Sequence, residues 1–406
     1  MLIKNARISD DERLKDVLIE GNTITKIADT IDKNDETIDA NGAYLFPGLV
    51  DLHVRLKNDT LNQKNLNTLS NDCARGGVTT ALIIPDFIPR LDNESFLELL
   101  NAKVNTLPTT VLLSAPLVNE ETSKLNNIAT LIQNGAIAIW GKSHVNSNLI
   151  RRGVQYAKMR QTPFLIDCYD DDLDDNGVMN DGEVAFKLGL PGISKVSETS
   201  EAAKLCEIAK YYDIPILFQT LSVKRSIELV KEAKKTIEAY AEVSIHHLLK
   251  NDTSCDDFNT YAKIKPPLRD EDERQELIEE LKKGNIDILT SAHSPRSILY
   301  KDVAFEEAAY GMHAICDYLP LIFTYLINTK LITIEQFIDL TSKTPAKILG
   351  LKTKGEIKEG FDADLVIFDP AYKEVLKISD SMYSGETLKG KVFYTIAKGK
   401  VVYKKI

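Results

Sequence analysis

The chain has 406 residues, of which 43% are hydrophobic and 27% charged, as is typical of a soluble globular protein. Its net charge of −10 argues against general binding to nucleic acid or to anionic membranes. The first sixteen residues lack an apolar signal-peptide core, and no later run is long and apolar enough to span a bilayer. Five scattered cysteines without a CxxC pair predict reduced thiols in a cytoplasmic protein.

Both ends of the chain predict short strands. Residues 16–29, "DVLIEGNTITKIAD", alternate apolar and polar residues about a Gly-Asn turn, which is typical of a β-hairpin. Residues 362–370, "DADLVIFDP", and 391–405, "KVFYTIAKGKVVYKK", have the same character. We therefore predict one small composite β-sandwich domain built from residues 1–46 and 346–406.

The middle of the chain alternates strand and helix patterns. Helix signals are clearest in "RDEDERQELIEELKKG", where Asp270 is the predicted N-cap, Glu273 completes a capping box and Gly284 follows the last turn. Such alternation predicts a parallel sheet, and the repeat number suits an α/β fold with a (β/α)8 TIM-like barrel over residues 47–345. The predicted barrel strands lie in residues 79–85, 109–116, 136–140, 163–170, 215–220, 242–248 and 287–293.

Polar residues fall at the predicted carboxyl ends of these strands, where barrel enzymes place their chemistry. The stretch "PGLVDLHVRLK" puts His53 and Arg55 two positions apart, so both side chains should project from the same face of one strand. Further polar residues at strand ends are Asp167, Gln219, His246 or His247, and His293.

Several stretches together resemble the type I-like dihydroorotases of the amidohydrolase superfamily, in matching order along almost the whole chain. They are "FPGLVDLHVRL", "ARGGVTTALIIP", "NGVMNDGEVAFKLGLPGI", "EVSIHHLL", "KIKPPLRDEDERQELIEELKKGNIDIL", "AHSPR", "FEEAAYG", "TPAKILGL" and "GEIKEGFDADLVIFDP". The resemblance implies a metal-bearing barrel with a composite β-sandwich. It also implies reversible ring closure of carbamoyl-aspartate to dihydroorotate in pyrimidine biosynthesis.

The family's metal ligands are mostly replaced in this chain. Arginine has no lone pair to give a metal, so Arg55 cannot serve as the second histidine of the family's His-x-His pair. We expect Arg55 to fill the vacated space and to pair with Asp167 or Asp51. Ala292 stands where the family has the aspartate that binds metal and shuttles the proton. The relic metal positions are His53, Arg55, Gly141, Asp167, Gln219 and Ala292. No metal and no catalytic residue is therefore expected.

The substrate-binding positions implied by the resemblance are also altered. Lys57 replaces an arginine, Asp86 an asparagine and Arg296 a histidine. The candidate substrate-binding residues are Arg55, Lys57, Asp86, Arg269 and Arg296.

Three functions stay open on the sequence. The first is a non-catalytic dihydroorotase-like homo-oligomer that acts as the structural partner of aspartate carbamoyltransferase, as the resemblance suggests. The second is an active dihydroorotase or other cyclic amidohydrolase, with one zinc displaced onto His53, Asp167 and either His293 or His246. The third is a metal-free module that binds anions through Arg55, Lys57, Arg269 and Arg296.

Overall fold

The computed structural model describes residues 1–8, 13–33, 36–377 and 380–405. The N-terminal segment contributes five strands to one mixed sheet, in which the hairpin predicted over residues 16–29 is confirmed as β2 and β3 paired antiparallel. These strands are β1 Leu2–Arg7, β2 Leu14–Glu20, β3 Thr23–Ala28, β4 Thr37–Asp39 and β5 Tyr44–Pro47.

The middle of the chain forms a nearly closed parallel barrel of eight strands. Its strand order is β6-β7-β8-β11-β12-β15-β16-β17, using the labels given below. The backbone amide of Arg55 donates to the carbonyl of His293 at 2.7 Å, which brings the first and last strands together. The barrel strands are β6 Leu49–Val54, β7 Val78–Ile83, β8 Thr110–Pro116, β11 Ala138–Lys142, β12 Phe164–Asp167, β15 Ile216–Gln219, β16 Ala239–Ser244 and β17 Ile288–Thr290; between them lie the short pairs β9 Val118–Asn119 with β10 Lys124–Leu125 and β13 Met179–Asn180 with β14 Gly192–Ile193.

The C-terminal strands complete the sheet begun by the N-terminus. β18 Leu365–Val375 pairs antiparallel with β5, and it is followed by β19 Thr387–Ala397 and β20 Lys400–Lys404. The expected fold class, a TIM-like barrel with a composite β domain from both termini, is thus confirmed. The domain predicted as a β-sandwich has its eight terminal strands in one mixed sheet.

Helices cover the outside of the barrel. The α-helices are α1 Gln63–Gly76, α2 Glu94–Val104, α3 Ile128–Gln133, α4 Ser147–Arg160, α5 Asp171–Asp174, α6 Glu183–Leu188, α7 Lys195–Tyr212, α8 Lys224–Ala233, α9 Ile245–Leu249, α10 Glu271–Lys282, α11 Tyr318–Ile322, α12 Ile334–Ile338 and α13 Thr344–Ile348. The 3-10 turns are Lys57–Asp59, Asp252–Phe258, Thr260–Ala262, Ile298–Tyr300 and Ile315–Asp317, and two π-helical turns are Phe323–Ile327 and Asp339–Lys343.

Helix α10 begins and ends where its sequence predicts. The Asp270 carboxylate accepts from the amide of Glu273 at 2.9 Å, and Gly284 adopts a positive φ of 71° just beyond the last turn. The predicted capping box is wrong, because the Glu273 carboxylate instead accepts from the backbone amide of Lys224 and pairs with Lys195. That side chain joins α10 to α7 and α8 rather than closing its own N-terminus.

One hydrophobic core is shared by the barrel helices and the terminal sheet. Phe46 of β5 packs edge-on against Phe337 of α12 at 5.1 Å between ring centroids and also contacts Phe368 of β18. Burial of each such ring contributes about 1.5–3 kcal/mol. The sheet therefore holds the two chain ends firmly against the barrel. Among the described residues, no helix is both long and apolar enough to cross a membrane.

Candidate functional site

The carboxyl ends of the barrel strands surround a pocket of about 200 Å³. Most of the polar residues predicted at strand ends meet there. His53, Arg55, Asp167 and Gln219 all line this pocket. The barrel has therefore kept a pocket at the face where this fold carries chemistry.

Arg55 occupies the side of the pocket next to His53. Its guanidinium lies 3.0 Å from the Asp86 carboxylate and 3.6 Å from that of Asp167, and it stands over the ring of Trp140 at 5.9 Å. Of the two partners expected for Arg55, Asp167 is found. Asp51 is not a partner, because its carboxylate accepts from the backbone amides of His53 and Ser291, both at 3.0 Å.

Asp86 is the centre of a cluster of charges beside the pocket. In addition to its contact with Arg55, the Asp86 carboxylate lies 2.7 Å from the Arg90 guanidinium and 3.1 Å from the Lys142 ammonium group. Burial raises the pKa of Asp86, but the charges of Arg55 and Lys142 and the bond from Arg90 outweigh it, so this pKa lies well below its ordinary value. The aspartate is therefore a fixed negative charge that holds three cations.

His53 forms a second buried network, centred on Glu242. The His53 Nδ1 atom lies 3.1 Å from the Glu242 carboxylate and 2.8 Å from the Thr220 hydroxyl. Glu242 is fully buried and also accepts from the Thr220 amide and the Thr290 hydroxyl, each at 3.2 Å. Burial lowers the pKa of His53, yet the bond and charge of Glu242 and the charge of Asp167 raise it above its ordinary value.

This network predicts a pH-dependent stability. A histidine whose pKa is raised by folding stabilises the folded chain fully below its unfolded pKa of 6.5, and the contribution is lost as pH rises through the folded pKa. We expect the difference in free energy of unfolding between the wild type and His53→Gln to shrink steadily from about pH 6 to pH 9. Urea denaturation of both proteins across that range measures it. A difference that stays constant, or grows with pH, would refute the raised pKa.

The residues at the relic metal positions do not fit a divalent cation. Arg55 places a permanent positive charge where a ligand would stand, and Ala292 offers no donor atom. The Gln219 side chain turns its amide group to the Leu52 carbonyl at 3.1 Å and to Glu242 at 3.3 Å. A β-carbon at Gly141 would lie 2.8 Å from Leu117 Cδ2, so a longer ligand there would displace that packing.

The two histidines considered for a displaced metal do not face the pocket. His293 Nδ1 accepts from the backbone amides of Ala314 and Ile315 at 3.2 and 3.3 Å. His246 lies 2.9 Å from the Tyr383 hydroxyl, on the side of the terminal sheet. Residues 245–249 form the short helix α9 rather than a strand, so only His247 of the pair lines the pocket. The set of His53, Asp167 and either His293 or His246 is therefore not brought together.

The candidate substrate-binding residues separate into two groups. Arg55, Asp86 and Arg296 line the pocket. Lys57 is exposed on the 3-10 turn that follows β6 and lies outside it. Arg269 also lies outside, because its guanidinium is buried in the barrel wall against the Ser222 hydroxyl, the Ile193 carbonyl and Glu198.

Sequence reasoning missed three residues of the site. Glu242, Thr220 and Lys142 organise the two networks described above. A lone acid within the apolar strand "AYAEVS" is a signal for Glu242, since a buried carboxylate requires partners. Thr220 and Ala292 have positive φ angles of 48° and 44°, which is strained for these residue types. Sequence patterns do not reveal that strain.

Comparison with known sequences decides the family. Residues 44–402 match the sequence model of a family described as "Amidohydrolase family". The chain belongs to this family. Among solved structures, the L-hydantoinase (dihydropyrimidinase) of Arthrobacter aurescens superposes with a TM-score of 0.88 at 21% identity, covering 100% of this chain and 96% of the hydantoinase. Such low identity establishes the shared fold and no more.

Curated amidohydrolase relatives extend over the full length of this chain. The dihydroorotase of Acetivibrio thermocellus is 33% identical over 99% of this chain and 98% of its own length. That of Thermoanaerobacter sp. is 33% identical over 100% of this chain and 97% of its own. The expected dihydroorotase-like amidohydrolase is confirmed. The chain thus keeps the family's full-length framework around an altered pocket.

Proposed function

We propose that this dihydroorotase-like chain is non-catalytic and serves in pyrimidine biosynthesis as the structural partner of aspartate carbamoyltransferase. One observation carries the first part of the proposal. The Arg55 guanidinium lies between Asp86 and Asp167, on the side of the pocket where the family's metal pair would stand.

Hydrolysis of a cyclic amide by this family needs an activated water and a group that moves a proton. Loss of a general base alone typically costs about 10²–10⁴ in rate. Ala292 cannot act as a general base. A metal that polarises a carbonyl and activates water would be repelled by the positive charge of Arg55. Turnover of dihydroorotate with zinc is therefore expected to stay at the uncatalysed rate.

The charges of the pocket argue against the anion-binding function. Each cation of the lining already has an anionic partner. Arg55 and Lys142 bind Asp86, Arg296 lies 2.5 Å from Asp59, and Lys265 lies 2.9 Å from Asp174. An incoming anion would have to break one of these pairs. The lining cations are therefore better suited to these internal ion pairs than to binding an acidic ligand.

The partnership rests on the resemblance and on the retained framework. The turns, the capped helix α10 and the terminal sheet persist around the altered pocket, and a fold kept without its chemistry favours a structural role. A cytoplasmic location belongs to the same proposal. It is supported by the five cysteines, which are all free and buried, because the cytoplasm keeps thiols reduced.

Association with aspartate carbamoyltransferase is tested with both proteins from the same organism. We expect the two chains to co-elute in size-exclusion chromatography, with a light-scattering mass that is a multiple of both. The matched control replaces this chain by the Acetivibrio thermocellus dihydroorotase, which shares its fold over the full length. Separate elution at all concentrations, with carbamoyltransferase activity and stability unchanged by this chain, would contradict the proposed partnership.

A further inference from the structure

A second cluster of metal-ligating side chains lies outside the pocket, between helix α1 and the loop before α11. Asp72, His293 and His313 each offer a ligand atom, and these three atoms all lie within 4.8 Å of one another. The His313 Nε2 atom is 3.1 Å from an Asp72 carboxylate oxygen and 3.8 Å from the Cys316 thiol. We propose that Asp72, His313 and Cys316 form a transition-metal site suited to zinc, with the ring of His293 beside it.

The spacing of the donor atoms about His313 Nε2 fits tetrahedral zinc. With Zn–N and Zn–O bonds near 2.0–2.2 Å and Zn–S near 2.3 Å, neighbouring ligand atoms lie about 3.3 Å apart for nitrogen and oxygen and about 3.5 Å apart for nitrogen and sulfur. The two observed distances from His313, 3.1 and 3.8 Å, are close to these values. Imidazole, carboxylate and thiolate are also the donors that zinc favours.

The backbone presents these ligands on a firm support. His313 and Cys316 are three residues apart, and Cys316 lies in the 3-10 turn Ile315–Asp317, so one short segment supplies both. His293 Nδ1 accepts from the amides of Ala314 and Ile315, the two residues between them. His293 thereby fixes the segment that carries two ligands. The remaining coordination position is open to water.

The site is accessible, and its ligands are not fully used in the metal-free chain. The side chains of Asp72 and His313 are 16% and 17% exposed, which leaves a path from solvent. The contacts that Cys316 Sγ makes to the Asp72 carbonyl and to His313 Nε2 are long, at 3.6 and 3.8 Å. A metal would link α1 to the loop and stabilise the folded chain.

Metal binding at this site must release protons. The thiol of Cys316 gives up its proton as the sulfur–metal bond forms, and a protonated His313 gives up its Nε2 proton in the same way. Burial raises the pKa of the Cys316 thiol. Burial lowers the pKa of His313, but the bond to Asp72 and the charges of Asp72 and Asp317 together raise it above its ordinary value. The affinity for zinc should therefore increase as pH rises.

Titration of the full-length, chelator-treated protein with Co²⁺ and Zn²⁺ tests the proposal. We expect one Co²⁺ per chain, a thiolate-to-cobalt absorption band in the near ultraviolet, and a rise in Tm with either metal. Cys316→Ser should abolish the band, and His313→Ala should weaken binding by about tenfold or more. Asp72→Asn, which nearly preserves shape, should weaken binding similarly if the cysteine variant does not fold.

Two control variants distinguish metal binding at this site from metal binding elsewhere in the chain. Cys206→Ala, on helix α7, should leave the cobalt band unchanged, and so should His53→Gln in the barrel pocket. A band that disappears in Cys206→Ala, binding that depends on His53 but not on His313, or no stoichiometric binding would each overturn the proposal. Because the turnover assay and the carbamoyltransferase assay do not involve this site, its failure would leave the proposed function standing.

Discussion

Glu242→Ala is expected to lower the free energy of unfolding by about 3–5 kcal/mol, the usual cost of removing one partner from a buried ion pair. The carboxylate is fully buried and faces His53 at 3.1 Å. It also accepts hydrogen bonds from Thr220 and Thr290 and stands against Gln219. Its removal leaves a buried histidine without its anion and a positive-φ threonine without the bonds that hold it. Urea denaturation at neutral pH measures the loss.

Two variants show whether this loss belongs to the network. Glu242→Gln keeps an acceptor of nearly the same shape but removes the charge. Its free energy of unfolding should therefore lie between those of the wild type and Glu242→Ala. Glu232→Ala removes an exposed glutamate on the neighbouring helix α8 and should leave the unfolding midpoint nearly unchanged. An unfolding midpoint for Glu242→Ala equal to that of the wild type would contradict the assignment of Glu242 as the centre of the network.

Arg55→Met is expected to lower the free energy of unfolding by about 2–3 kcal/mol, because it takes the paired cation from the half-buried Asp167 carboxylate and one of three cations from Asp86. Methionine keeps much of the arginine's apolar stem but loses the contacts to Asp86 and Asp167. Lys57→Met is the matched control, two residues along the chain. Lys57 is exposed and outside the pocket, so its replacement should change stability by no more than about 0.5 kcal/mol.

A double-mutant cycle with Asp86 isolates the ion pair. We expect Arg55→Met and Asp86→Asn to be non-additive by about 1–3 kcal/mol, since the side chains are in direct contact. Lys57→Met combined with Asp86→Asn should be additive. If the first pair were also additive, Arg55 would not be held by Asp86, and the metal position would not be filled in the way described above.

The sequence predicted the fold well because its signals are local and repeated. Apolar runs such as "TTALIIP" and "PILFQT" became barrel strands β7 and β15, and Asp270 capped α10 as expected. Where prediction failed, a long-range contact outweighed a local rule. The Glu273 side chain contacts α7 and α8 instead of capping the N-terminus of its own helix. The stretch "SIHHL" forms a helical turn at the end of β16 instead of continuing the strand.

The site was predictable in part for the same reason. Residue identity alone showed that Arg55 and Ala292 cannot be metal ligands. Asp86 could not be identified from the sequence as a partner of Arg55. It comes from the loop after β7, and only the closed barrel brings the two side chains to 3.0 Å. The position of Arg269 was equally hidden, since a guanidinium just before helix α10 can face the pocket or the wall.

The most direct test of the central claim is turnover of dihydroorotate and of carbamoyl-aspartate by the purified full-length chain. Zn²⁺, Mn²⁺ or Co²⁺ is supplied, with and without aspartate carbamoyltransferase, and the Acetivibrio thermocellus dihydroorotase serves as the positive control. A non-catalytic chain should give rates equal to those of buffer and metal alone in both directions. A metal-dependent rate that disappears in His53→Gln would contradict this claim and would show that the barrel still performs the chemistry of its family.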